Sequence, residues 1–539
     1  MAKLGAKKVY LAASGDLRLP TNQTCWAEQA KMEEALKKAV SKMGYQIVRA
    51  HPYKPGEKHG FISSQKEGIE IFSQLDPDAP IIIAESVWEY SHHIYPGLLT
   101  HRGPILNIAN WSGTWPGLVG MLNINACLTK AGRKFSTLWS VDFTDDWFLT
   151  RLKKWLETGK EIKQDTSHVH PFDPASLKKN ELAIGEKLAA DMVKEKVIMG
   201  IFDEGCMGMY NALVPDELLF PLGIYKERLN QSALYYETMN TSNAEAEKVY
   251  RWLLDKGVRF HLGKDEKTEL TKNQVLLQCK MYLAAARIAD RFGAELFGIQ
   301  YQQGLKDILP ASDLVEGILN NSDRPPVKAA DGRIIKEGKP YLHFNEVDEC
   351  AALDGLLDNR VLSKLGYPPE TTLHDVRWGD ADQSGTTDKF VWVFQISGAA
   401  PPAHFKGGWK GAQSWRQAPM YFPFGGGTLG GVCKEGEILW SRTYIEKGKL
   451  GIDIGRGRAL DLPEAEVRRR LEECAPTWPI MNAVLYGISR NQFMGRHHAN
   501  HIQVCYPGSA AQADRALAVK AAMANALGFK VNILGNNKE

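Results

Sequence analysis

The segments YLHFNEVDE, residues 341–349, and TTLHDVRWG, residues 371–379, are the stretches around which the chain is organised. Both are short apolar runs that read as strands, and each carries acidic residues at or near its end. Glu346 lies in the first segment, followed closely by two further carboxylates, and Asp375 lies in the second. The two segments therefore predict a pair of carboxylates that strands deliver to one site.

A third segment, RHHANHIQVCY at residues 496–506, places three histidines just before another strand-like run. Two carboxylates and one imidazole, with room for substrate oxygens, suit a hard or borderline divalent cation such as Mn²⁺ or Mg²⁺. A zinc protease is disfavoured because HHANH lacks the Glu of HExxH, and because the adjacent His497 and His498 point in different directions on any regular element. The acidic NEVDE stretch is equally typical of a strand end followed by a helix N-cap, so a purely structural role stays open.

Length and composition indicate an ordinary globular protein of two to four domains. The 539 residues are 44% hydrophobic and 24% charged, with a formal net charge of +3. This balance gives no electrostatic reason to expect a nucleic-acid or membrane partner. No apolar stretch approaches the roughly 18 residues that a membrane span needs. The eight cysteines are scattered singly, so reduced thiols in a cytoplasmic protein are expected.

Residues 1–180 are predicted to form an N-terminal α/β domain. Apolar runs alternate with a helical pattern, which is typical of βαβ units and a parallel sheet. The expected strands are Lys8–Ala13, Pro80–Ala84, Ile105–Ala109 and Leu138–Val141. Ser14–Gln23 reads as a polar loop before a helix at Glu28–Met43, and Lys163–Asn180 reads as a linker.

Residues 181–370 are predicted to form a second α/β domain, and residues 371–539 a domain of mainly antiparallel strands. The second domain has expected helices at Glu181–Lys194, Ala244–Lys256 and Asn273–Phe292, and strands at Val197–Phe202 and Leu296–Ile299. The last domain has expected strands in VWVFQIS, MYFPFGGGTLGGV, EILWSRTYI and LGIDIG, then a helix at Ala511–Leu527 and a strand at Val531–Leu534. GGGTLGG is not a phosphate-binding loop, because no GK[ST] follows it.

Aromatic and amide side chains follow the predicted parallel strands. In open α/β sheets, ligands bind beyond the carboxyl ends of the strands. Those ends carry Trp88-Glu89-Tyr90, Met207 and Gln302-Gln303. The absence of a cluster of positive charge there favours a polyol-like ligand over a phosphate.

Several motifs together resemble the L-fucose isomerase family of metal-dependent aldose–ketose isomerases. The most specific are NEVD at 345–348, HDVR at 374–377, ANH at 499–501 and TWP at 477–479; the MGM turn at Met207 and the GIQYQ strand end at Gln302 are weaker. The resemblance extends over nearly the whole chain. It implies two N-terminal open, Rossmann-like α/β domains, a C-terminal β-rich domain, a homohexamer, and bound Mn²⁺ with Mg²⁺ or Co²⁺ as substitutes.

The resemblance also implies roles for individual residues. Glu346, Asp375 and His501 would be the metal ligands, and the two carboxylates would also move protons. The sugar would be surrounded by Arg18, Trp88, Met207, Gln302, Ser397, Tyr421, Trp478 and Asn500, some of them from a neighbouring subunit. The sequence does not identify the group that orients the second ring nitrogen of His501, which such a ligand needs.

The chain differs from the family in segments that are expected to lie near the far end of the sugar. The loop at Tyr367–Glu370 looks longer, and the C-terminal domain looks shorter, with a basic and aromatic run at His404–Arg416. L-fucose and D-arabinose are the expected substrates. Another 6-deoxy sugar, or a hexose with an anionic C6 group such as a sulfonate, stays open because of Lys406, Lys410 and Arg416.

Three functions from different classes are compatible with the sequence. An isomerase would act through an enediol(ate), with a metal-assisted hydride shift as the competing mechanism. A non-catalytic sugar-binding protein is the second interpretation, since paired α/β domains also build sugar receptors. A glycosidase that uses the paired carboxylates is the third.

Overall fold

The computed structural model describes residues 3–205 and 207–536 of the chain. The predicted domain limits at residues 1 and 539 lie outside this range, as does Cys206, and the other seven cysteines are free and buried. The fold is mixed α/β, with two parallel sheets and a C-terminal antiparallel sheet that closes into a barrel. Within the described residues, no helix is long and apolar enough to cross a membrane.

The N-terminal part contains a five-stranded parallel sheet with the strand order β2-β1-β3-β4-β5. Its elements are β1 (Lys8–Ala12), α1 (Leu19–Lys42), β2 (Gln46–Arg49), α2 (Gln65–Gln74), β3 (Ile81–Glu85), α3 (Ser91–Thr100), β4 (Ile105–Asn110), α4 (Gly117–Lys130), β5 (Ser136–Ser140) and α5 (Asp146–Thr158). Strands β3, β4 and β5 are buried along their whole length, as the continuous apolar runs predict.

The middle part contains a four-stranded parallel sheet with the order β11-β10-β7-β8. Its elements are β6 (Val169–Pro171), α6 (Lys179–Glu195), β7 (Val197–Phe202), α7 (Asp216–Leu219), β8 (Ile224–Leu229), α8 (Gln231–Asn240), α9 (Asn243–Asp255), β9 (Arg259–Phe260), α10 (Lys272–Arg291), β10 (Leu296–Ile299), α11 (Asp313–Leu319), β11 (Leu342–His343) and α12 (Glu349–Leu365). The sequence pattern missed β8, because this edge strand carries charged residues and only its two end residues are buried.

The C-terminal part is a barrel in which β15, β18, β12, β13, β17 and β16 pair in that order and β16 returns to β15. Its elements are β12 (Thr371–Ala381), β13 (Phe390–Gln395), β14 (Gln413–Ser414), β15 (Gly436–Glu446), β16 (Lys449–Ala459), α13 (Glu464–Glu472), β17 (Ile480–Leu485), α14 (Arg490–Arg496), β18 (His501–Gly508), α15 (Ala510–Ala526) and β19 (Lys530–Leu534). Strand β19 pairs in parallel with β16, outside the closed ring.

Three predictions about local structure were wrong. Ser14–Gln23 is not all loop, because α1 begins at Leu19; the Pro in its first turn needs no hydrogen-bond donor there. Lys163–Asn180 is not only a linker, because β6 pairs with β19. The glycine-rich segment 420–432 forms isolated bridges and turns instead of strands, and Gly425 and Gly426 adopt positive φ.

Helices α6 and α15 approach so closely that the contact at Gly185 has no room for a side chain. A Cβ there would lie 2.5 Å from Ala522 Cβ and 2.7 Å from the Met523 backbone nitrogen. We expect Gly185→Ala to lower the melting temperature, because overpacking of roughly 1–3 kcal/mol outweighs the better helix propensity of Ala. Gly56→Ala is the matched control, since nothing lies within 4 Å of its Cβ. Equal melting temperatures for the two variants in a thermal scan would contradict this packing.

Candidate metal and substrate site

Glu346, Asp375 and His501 lie together, although 155 residues separate the first from the last in sequence. Asp375 on β12 and His501 on β18 are direct cross-strand partners in the barrel. The Nε2 atom of His501 is 3.3 Å from Asp375 Oδ1 and 3.4 Å from Glu346 Oε2. The two carboxylates therefore converge on one nitrogen atom. Strand β12 carries Asp375, whereas Glu346 lies in a short 3₁₀ turn after the two-residue strand β11.

Glu346 reaches this point from a strained backbone. Its φ is +57° and that of Val347 is +53°. A positive φ is uncommon outside glycine, above all for a β-branched residue, and such strain is concentrated at functional sites. The side chain is held by Gln302, whose Nε2 donates to Glu346 Oε1 at 2.8 Å. Burial raises the pKa of Glu346, against the opposing effect of His501.

Asp348 is the group that orients His501. His501 Nδ1 lies 2.7 Å from Asp348 Oδ2, and Arg442 Nη1 donates to the same oxygen at 2.6 Å. The other Asp348 oxygen caps α12 by accepting from the Ala351 backbone nitrogen. Burial favours a higher pKa for Asp348, but Arg442 and His501 together hold it well below its ordinary value. An ionised Asp348 keeps a proton on Nδ1 and turns Nε2 toward the two carboxylates.

The donor set fits a divalent cation. As the side chains stand, no three His, Cys, Asp or Glu residues of the described chain form a metal-binding group. However, His501 Nε2 is buried and has no hydrogen-bond partner. Donor atoms that each lie about 2.1 Å from one octahedral ion are about 3 Å apart, close to the 3.3 and 3.4 Å measured from Nε2. Small side-chain rotations of Glu346 and Asp375 would therefore complete the site.

One pocket of about 430 Å³ opens onto the two carboxylates. Seven of the eight residues that the resemblance assigns to the sugar line it. They are Arg18, Trp88, Met207, Gln302, Ser397, Tyr421 and Trp478, and the remaining lining residues are Pro116, Val119, Glu346, Asp375, Arg377 and Phe422. Arg18 and Trp88, both from the N-terminal part, line the pocket of their own chain.

Asn500 does not line the pocket, contrary to the prediction. It is fully buried, and its side-chain nitrogen donates to Met209 Sδ at 2.9 Å. Its backbone oxygen accepts from the Val376 nitrogen, next to Asp375. Asn500 therefore supports the junction of β12 and β18 from behind.

Arg377 is a pocket residue that the sequence reasoning missed. It is the extra residue of a β-bulge, because Val376 and Trp378 pair with consecutive residues of β13. Its Nε donates to Gly113 O at 2.7 Å and its Nη2 to Thr114 O at 3.1 Å. Within the described chain, Arg377 forms no ion pair with a carboxylate. Its position two residues after Asp375, on the same face of the strand, was the available signal.

The basic run His404–Arg416 does not provide positive charge to the pocket. None of its residues lines the cavity. Lys406 pairs with Asp461 on the surface, Lys410 is exposed, and Arg416 donates to backbone carbonyls. For the two lysines these are the contacts of a solvated loop, so the run gives no support to an anionic C6 group on the substrate.

We expect Asp348→Asn to weaken Mn²⁺ binding by about 10- to 100-fold, the usual cost of losing a group that orients a ligand histidine. With its oxygen toward Arg442 and His501, the amide would turn its NH₂ onto the Ala351 backbone N–H; with its oxygen toward Ala351, it would turn its NH₂ onto Arg442 and His501. In either orientation it carries no negative charge to hold the imidazole. Isothermal titration with Mn²⁺ measures the change, and Asp380→Asn, at the far end of β12, is the control. Unchanged affinity in Asp348→Asn would contradict the orienting role.

The comparisons with known proteins give no assignment. A scan of protein-family models gives no match, and a search of curated proteins finds no significant relative.

Proposed function

We propose that the chain is a Mn²⁺-dependent aldose–ketose isomerase that acts on an open-chain sugar through an enediol(ate). The observation that carries the proposal is the convergence of Glu346 and Asp375 on the partnerless Nε2 of His501, at the floor of a pocket lined by sugar-type side chains. Glu346, Asp375 and His501 would hold the cation. A bound divalent cation supplies Lewis-acid stabilisation of the two neighbouring substrate oxygens between which the carbonyl moves.

The carboxylates of Glu346 and Asp375 are the candidates for proton transfer. Isomerisation moves one proton between adjacent carbons and another between their oxygens, so a base must stand beside the sugar carbons. Both carboxylates line the pocket, and both are at least nine-tenths buried. Gln302 fixes Oε1 of Glu346 at 2.8 Å, and Oε2 is the oxygen that faces His501 Nε2 at 3.4 Å.

The remaining walls suit a small polyol. Trp88 and Trp478 present apolar faces to the C–H groups of a sugar, and Gln302 and Ser397 can bond to hydroxyls. Trp88 Nε1 is buried with no hydrogen-bond partner, so it is available to a substrate oxygen after a small movement.

The substrate class proposed is an L-fucose- or D-arabinose-like aldose, or another hexose modified at C6, either 6-deoxy or 6-sulfo. Arg377, not the run His404–Arg416, is the cation that an anionic C6 group would meet. We further propose that the two parallel-sheet regions are Rossmann-like domains, and that the protein is a cytoplasmic homohexamer of carbohydrate metabolism.

The two other functions have less support. A glycosidase needs its carboxylates to flank a glycosidic bond, whereas here an imidazole nitrogen contacts both of them. A sugar receptor without catalysis has no use for three metal-type ligands at the floor of its pocket. Neither alternative explains why His501 is oriented by a buried, ionised carboxylate.

Removal of the metal and of each carboxylate tests the proposal. We expect dialysis against a chelator to abolish isomerisation and Mn²⁺ to restore it. Glu346→Gln and Asp375→Asn should each lower kcat by about 10²- to 10⁴-fold, the contribution of a positioned acid–base group. The mutants must stay folded by circular dichroism, with Asp380→Asn as the control. A metal-loaded mutant with a near-normal rate would contradict the proton-transfer role.

A panel of aldoses assayed in D₂O tests both the substrate class and the mechanism. We expect ketose formation from L-fucose, D-arabinose or a C6-modified hexose, with solvent deuterium at the carbon that gains a proton. Mass spectrometry of the ketose measures the incorporation. Product without deuterium would favour the hydride shift, and no product from any member of the panel with Mn²⁺ bound would contradict the proposed function.

A further inference from the structure

Asp313 is a fully buried carboxylate that does not touch the pocket, yet both of its oxygens are connected to pocket residues. It is the first residue of α11. Tyr301 donates its hydroxyl to Asp313 Oδ1 at 3.0 Å, and Gln417 donates Nε2 to Asp313 Oδ2 at 2.8 Å. Each of these two partners leads to a different wall of the pocket.

The first branch runs through Tyr301 to the metal-ligand candidate Glu346. Gln302 Nε2 donates both to the Tyr301 hydroxyl oxygen, at 3.2 Å, and to Glu346 Oε1, at 2.8 Å. Because the Tyr301 proton is directed to Asp313, the phenol oxygen is left as an acceptor for Gln302. The amide of Gln302 is therefore held with its nitrogen toward Glu346.

The second branch runs through Gln417 to the sugar-facing Trp478. Gln417 Nε2 points at Asp313, so its Oε1 points the other way and accepts from Trp478 Nε1 at 3.0 Å. An indole nitrogen can only donate, and an ionised carboxylate can only accept. The orientation of the Gln417 amide, and with it the anchoring of Trp478, is thus fixed by Asp313.

The backbone has closed around this carboxylate. Gly398, which follows the pocket residue Ser397, has φ +79°, and a Cβ there would lie 2.1 Å from Asp313 Cγ. Only glycine fits both the conformation and the space. The Asp313 side chain is thus packed against the Gly398 backbone in the position from which it meets Tyr301 and Gln417.

We propose that Asp313 is a positioning residue that sets Gln302, and through it Glu346, and also Trp478 in the geometry that binds the sugar. The kinetic side of this inference rests on the proposed isomerase function. Independently of catalysis, we expect sugar binding to require that both oxygens of residue 313 accept hydrogen bonds, and not only that the side chain has the size of Asp.

Asp313→Asn is the first test, because it preserves shape and replaces one acceptor oxygen with a donor. The new NH₂ would face either Gln417 Nε2 or the Tyr301 hydroxyl. The first case disturbs the amide that anchors Trp478, and the second disturbs the hydroxyl that holds Gln302. We expect kcat/KM to fall by about 10- to 100-fold, the effect of breaking a buried hydrogen bond to a charged group. The assay belongs above pH 7, because burial raises the pKa of Asp313 to about 7.

The double variant Asp313→Asn with Gln417→Glu is the decisive test. The amide oxygen at 313 would accept from Tyr301, and its NH₂ would donate to the carboxylate at 417. The other oxygen of that carboxylate would accept from Trp478 Nε1, so every bond in the chain is restored with the same net charge. We expect each single variant to lose sugar binding and the double variant to regain most of it, which a double-mutant cycle measures.

Glu316→Gln is the matched control. Glu316 is an equally buried carboxylate one turn further along α11, and its oxygen accepts from Ser312 at 2.6 Å. It does not line the pocket. We expect its KM to stay within about twofold of the wild type, as for a site with no contact to the ligand.

Calorimetric binding of a hexitol to the Mn²⁺-loaded protein provides a readout that needs no turnover. Loss in Asp313→Asn, none in Glu316→Gln and recovery in the double variant would support the inference. The same hexitol pattern in a protein that isomerises no aldose would support it while contradicting the proposed function. Hexitol binding at the wild-type level in Asp313→Asn would overturn the inference. It would also be overturned if Glu316→Gln lost binding as well and the double variant with Gln417→Glu did not regain it.

Discussion

The hydrogen bond between Asp348 and His501 is the interaction on which the site depends. It joins a residue between the middle sheet and α12 to the first residue of barrel strand β18. Arg442, on the barrel strand β15, completes the group, so three distant parts of the chain meet at one buried carboxylate. Burial of a carboxylate is costly unless it is fully paired. Loss of Arg442 or His501 would therefore leave the charge of Asp348 buried without full compensation. The same contact that ties the two regions together also aims the imidazole at Glu346 and Asp375.

The register of the barrel is the second constraint. Asp375 faces His501 because β12 and β18 pair with that register, and a slip of one residue would turn Asp375 away from the pocket. Closure of the barrel leaves these two strands without a free edge, which opposes slippage. The bulge at Arg377 then adds one residue to β12 beyond the ligand, so that Arg377 reaches the pocket while Trp378 returns to the ladder with β13.

Glu346, Asp375 and His501 lie together, as the family resemblance implies. The local pattern alone showed acidic residues near strand ends and a run of three histidines, without selecting among them. The roles of Asp348 and Asp313 were not recognised, since each acts through partners that only the folded chain brings near. Asp348 looked like one more acid in NEVDE, and Asp313 carried no motif at all. The basic run His404–Arg416 could not be placed from the sequence for the same reason. Its charges are compensated by, or turned outward through, contacts with residues that are distant in sequence. Glycine-rich segment 420–432 resembled strands in composition, but its positive-φ glycines form turns.

The charges around the pocket give the strongest physical reason to expect a cation. Arg18 is neutralised by a bidentate pair with Asp16, and Asp348 by Arg442. Glu346 and Asp375 have no such partner in the described chain; each forms an ion-pair contact only with His501. Burial raises the pKa of Glu346, which reflects the cost of keeping two carboxylates ionised beside one imidazole, and the Arg377 guanidinium also lines the pocket. A divalent cation would offset both charges and allow His501 to bind as the neutral imidazole that its contact with Asp348 already orients. Two carboxylates and one oriented imidazole are thus the side chains that the proposed dication would need at this point.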